Sequence, residues 1–66
     1  MTPEHVKARI EEIERASMDS EGAHCMEDTL HQDVLRAIGE GAATDPAACA
    51  REALKSREIK FARWYA

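Results

Sequence analysis

The stretch EGAHCMEDTLHQDVLRAI, residues 21–38, decides the fold class of this chain. Its apolar positions Ala23, Met26, Leu30, Val34, Ala37 and Ile38 recur at three- and four-residue spacing. Side chains so spaced share one face of an α-helix, so the stretch reads as an amphipathic helix, the longest element of the chain. Asp19 or Ser20 supplies a short polar side chain before it, suited to accept the first unpaired amides as an N-cap. Gly39 and Gly41 bracket Glu40 beyond it and are expected to supply the left-handed conformations that end helices.

Working outward, Thr2-Pro3 combines an N-cap with a proline at the first helical position, where no N–H is needed. Val6, Ile10 and Ile13 follow at i, i+4 and i+7, which predicts a first helix to about residue 17. On the other side, Thr44-Asp45-Pro46 repeats the cap-then-proline signal. It opens a third helix to about Ser56, read as burying Ala47, Ala50 and Leu54 and as approaching the second helix closely through its small residues. After Ser56 the period changes, and Phe61, Trp64 and Tyr65, all the aromatic residues of the chain, fall within the last six positions. A disordered tail is normally poor in such groups. The ending is therefore read as an extended arm or short turn folded back over the first two helices. The fold class is all-α: a compact three-helix domain, single over residues 1–66, with an ordered C-terminal aromatic arm packed on the helices.

Size favours that fold-back. A 66-residue chain has room for one core and a narrow stability margin. Twelve of its hydrophobic residues are alanines, so the bulkier Val6, Ile10, Ile13, Met18, Met26, Leu30, Val34, Leu35, Ile38, Leu54, Ile59 and the aromatics must carry the burial. Charge is split unevenly, with four Lys/Arg against eleven Asp/Glu in residues 1–50, and five against two in residues 51–66. An acidic body argues against nucleic-acid binding, which rests on a broad positive footprint. It also draws the basic arm inward, through a pair such as Arg63 with Glu27 or Asp28.

No apolar run reaches membrane-span length and the start is polar, so a cytoplasmic protein with no membrane association is expected. Cys25 and Cys49 form no Cys-x-x-Cys pair and, on a helical wheel, both point away from the apolar stripes. They read as free thiols of a reducing compartment.

Ligand-type side chains cluster once, at His24, Asp28 and His31 on the second helix. Spaced i, i+4 and i+7, they share a side, but they span about 10 Å along the axis, too far to converge on one ion. His31 reads instead as a half-buried histidine bonded to a carboxylate or to the arm. Glu27 falls between Ala23, Leu30 and Val34, inside the edge of the buried face, where an unpaired charge is costly. Its partner is expected among Arg63, Lys60, the Trp64 indole or an arm amide. There is no phosphate loop, nucleophile elbow or paired-cysteine motif, and a chain this short encloses little volume, so neither an enzyme nor a cofactor is expected. A helix-turn-helix reader fits the outline, but its third helix offers chiefly Arg51 and Lys55 toward DNA.

Glu27-Asp28-x-Leu30-His31-x-x-Val34-Leu35-x-Ala37-Ile38, Asp45-Pro46-Ala47-Ala48 and the ending Ile59-x-Phe61-x-Arg63-Trp64 together resemble small uncharacterised proteins of actinobacteria and their phages. The resemblance covers most of residues 20–66. It implies that the Glu-Asp-x-Leu-His segment and the Arg-Trp ending occur together and supplies no activity. Taken together, Glu27, His31, Phe61, Arg63 and Trp64 are the expected structural anchors. The expected function is a small protein-interaction or accessory factor, phage-encoded in the setting the resemblance offers, that binds a host or self protein through a helical face. Its contact patch is His24, Asp28 and Leu35, and homo-oligomerisation is the nearest variant. The rival reading is a metal- or DNA-binding regulator using the His24, Asp28 and His31 side.

Overall fold

Three short polar side chains set where the helices begin. Thr2 has extended backbone and its hydroxyl oxygen accepts the His5 amide at 3.1 Å, so α1 runs Pro3–Arg15 with Pro3 leading. Asp19 accepts the Gly22 amide at 3.1 Å and opens α2, Ser20–Gly39. A Cβ at Gly22 would lie 2.6 Å from the Asp19 carboxylate, so glycine leaves room for the cap. Asp45 accepts the Ala48 amide at 3.2 Å and opens α3, Pro46–Leu54, from a left-handed backbone (φ 51°) that Asp tolerates better than most residues. A 3₁₀ turn, Lys55–Glu58, prolongs α3, and Ile59 then returns to extended backbone. The computed structural model of the chain describes residues 1–63, so the expectations placed on Trp64 and Tyr65 lie outside the described residues.

The end of α2 departs from the sequence reading at one glycine. Of the two glycines Gly41 alone has positive φ (72°), whereas Gly39 remains the last helical residue. Gly41 N–H donates to the Ile38 carbonyl (3.1 Å) and Ala42 N–H to the Ala37 carbonyl (2.8 Å), the paired bonds of a Schellman cap. That geometry asks for one left-handed residue, and Gly41 fills it.

The three helices pack pairwise around one core, with no strand among the described residues, so the fold is all-α. Val6 and Ile13 enter it from α1, Ala23, Leu30 and Val34 from α2, Cys49 and Ala53 from α3, and Ile59 from beyond the 3₁₀ turn. Ile10, Met26, Ile38 and Phe61 pack around that centre. A half-buried Arg9–Asp33 pair at 2.7 Å joins α1 to α2. The Met1 amino group donates to the Ala42 carbonyl (3.0 Å) and its own carbonyl accepts from Thr44 N–H (2.8 Å), which ties α1 to the α2–α3 loop.

Helix α3 is rotated from the expected register. Cys49 and Ala53 are buried, Ala50 is half-buried, and Ala47 and Leu54 are exposed. Cys49 thus belongs to the core, contrary to the wheel, and its thiol donates to the Thr44 carbonyl at 3.3 Å. The reason is that Cys49, Ala53 and Ser56 form a second small-residue stripe at i, i+4 and i+7. It lets α3 approach its neighbours as closely as the alanine stripe would, and it alone brings a hydroxyl to the buried Glu27. Met18, counted above among the bulky apolar residues, sits fully exposed in the α1–α2 turn. No helix among the described residues is long and apolar enough to cross a membrane.

Candidate functional site

The charge placed inside the edge of α2 is the starting point. Glu27 lies among Ala23, Leu30 and Val34 with its side chain 6% exposed, and two side chains from the C-terminal third converge on it. Arg63 Nε donates to Oε1 at 2.8 Å and Nη2 to Oε2 at 3.2 Å, a two-point grip on the carboxylate. The Ser56 hydroxyl donates to Oε2 at 2.6 Å. Burial alone would push the Glu27 carboxyl up. The bonds from Arg63 and Ser56, with the charges of Arg63 and His31, outweigh it and hold the group below the ordinary value of 4.5.

With its proton given to Glu27, Ser56 accepts from His31 Nε2, 3.0 Å away, and the same nitrogen faces the Ala53 carbonyl at 3.3 Å. This order of donors places a hydrogen on His31 Nε2. Ser56 itself is fully buried, and its hydroxyl lies between imidazole and carboxylate, whereas a hydrolytic triad places the imidazole in the middle. The arrangement is therefore built for cross-linking. Arg63 Nη2 also donates to the carbonyls of Ser56 (2.9 Å) and Ile59 (3.0 Å), and its guanidinium lies 3.9 Å from the centre of the Phe61 ring. Ala62 N–H donates to Ser20 Oγ at 3.3 Å, so the segment from Ile59 to Arg63 is laid against the first turns of α2. Of the five anchors named from sequence, Glu27, His31, Phe61 and Arg63 meet in this one region, and Trp64 lies outside the described residues.

Outside this network, α2 and α3 leave an apolar groove of about 270 Å³ between them, floored by Val34, Ile38, Ala50 and Ala53, with His31 also in its lining. Leu35 and Leu54 form its walls and are 69% and 58% exposed. With Met18 they are the exposed large apolar residues among those described. Leu35 was legible in sequence because it lies off the stripe of α2. Leu54 was not, because the register expected for α3 buried it.

The patch expected around Leu35 is divided. His31 lines the groove beside it, whereas His24 and Asp28 pair with each other, Nε2 to Oδ2 at 3.7 Å, and form no part of the lining. His31 is turned toward Ser56 and Ala53, so His24, Asp28 and His31 do not converge. No group of three or more His, Cys, Asp or Glu side chains able to hold a metal ion occurs among the described residues. Cys25 is exposed, beside a separate shallow cavity lined in part by Arg9, Met26 and Thr29.

Comparison with protein-family models, with curated proteins and with solved structures finds no match to this chain.

Proposed function

We propose that this chain is a small non-enzymatic interaction factor of a reducing, cytoplasmic compartment, and that it binds a protein through the α2–α3 face. The observation that supports the reading is the groove bounded by Leu35 and Leu54. A small domain short of apolar groups leaves two leucines in water at matched positions, each on one wall of the same apolar cleft. Single exposed apolar residues are ordinary, but a contiguous apolar site with raised walls is the form that protein interfaces take. The buried Glu27–Ser56–His31 chain beneath it fixes the floor, since His31 belongs both to the network and to the groove lining. The resemblance to small proteins of actinobacteria and their phages fits an accessory role of this kind.

The test is site-specific crosslinking in the producing cells. A photoreactive phenylalanine replacing Leu35 is expected to give discrete adducts that vanish when Leu54→Glu is added. The same group replacing Glu11, on the exposed side of α1, gives none of them. Absence of adducts from position 35, or an identical pattern from position 11, refutes the reading.

A further inference from the structure

We draw no further inference here: the strongest candidate, the apolar groove between α2 and α3 walled by Leu35 and Leu54, is a short face flanked by exposed charges of both signs, Arg51, Arg57 and Glu58, and nothing in the structure shows what covers it.

Discussion

Removing the Arg63 guanidinium should cost this fold a large part of its stability. Arg63→Ala leaves the Glu27 carboxylate in place, 6% exposed, with Ser56 as its remaining donor, and it strips the carbonyls of Ser56 and Ile59 of one donor each. Deleting one member of a buried pair typically costs about 3–5 kcal/mol. Arg63 is itself about one-third exposed and water can reach the gap it leaves, so the lower end, about 3 kcal/mol, is the working value. A chain of 66 residues has about 3–10 kcal/mol in all. The variant should therefore melt about 12–24 °C lower or lose its cooperative transition. Urea unfolding followed by circular dichroism near neutral pH measures the loss.

The dependence on pH and salt gives the reasoning a sharper edge. In the wild type the folded Glu27 carboxyl lies below its ordinary value of 4.5, so its stabilisation is fully present above that value and is lost as pH falls through the lower folded one. Without Arg63, burial dominates and the carboxyl moves up, so the variant regains stability when acid neutralises it. The gap between the two proteins should be widest at neutral pH, should start to narrow as pH falls through the variant's raised carboxyl value, and should go on narrowing below 4.5. It should persist in about 0.5 M salt, because a buried pair is screened far less than a surface one. A variant within about 0.5 kcal/mol of wild type, or a gap that is constant with pH, would show that Arg63 merely decorates the surface.

Two further predictions follow from the backbone and the thiols. Gly41→Ala should destabilise by about 1 kcal/mol because it forces a side chain into left-handed backbone, whereas Gly39→Ala, helical and with open space around it, should stabilise by up to about 1 kcal/mol; urea titrations of the pair that gave the same sign would refute the assigned cap. With a thiol-reactive chromophore, Cys25 should react in the native state and Cys49 only after unfolding; rapid labelling of both in native buffer would place Cys49 outside the core.

Local chemistry was legible wherever it depends on near neighbours. The caps Thr2 and Asp45, the cap offered at Asp19 or Ser20, the prolines after two of them and the i, i+3, i+4 stripe of α2 each act within one or two turns, and the structure starts all three helices where those signals put them, with Asp19 as the second cap. Glu27 was legible in part. Its place inside the stripe declared that a donor must reach it, and Arg63 was among the four donors named. Ser56 was missed because a serine at the predicted end of a helix carries no signal of burial by itself.

What the sequence determined alone is therefore the class and the joints: three helices, their starts, a cap at Asp19 or Ser20, and a buried carboxylate in want of a donor. Tertiary structure decided the register of α3. Ala47, Ala50 and Leu54 are more apolar than the alternative Cys49, Ala53 and Ser56, so hydrophobicity by itself favours the register that the structure does not adopt. The choice fell to the stripe that brings a hydroxyl to Glu27 and His31, because leaving polar groups of α2 unpaired in a core costs more than leaving one leucine in water. That same rotation turned Leu54 outward opposite Leu35 and made the groove.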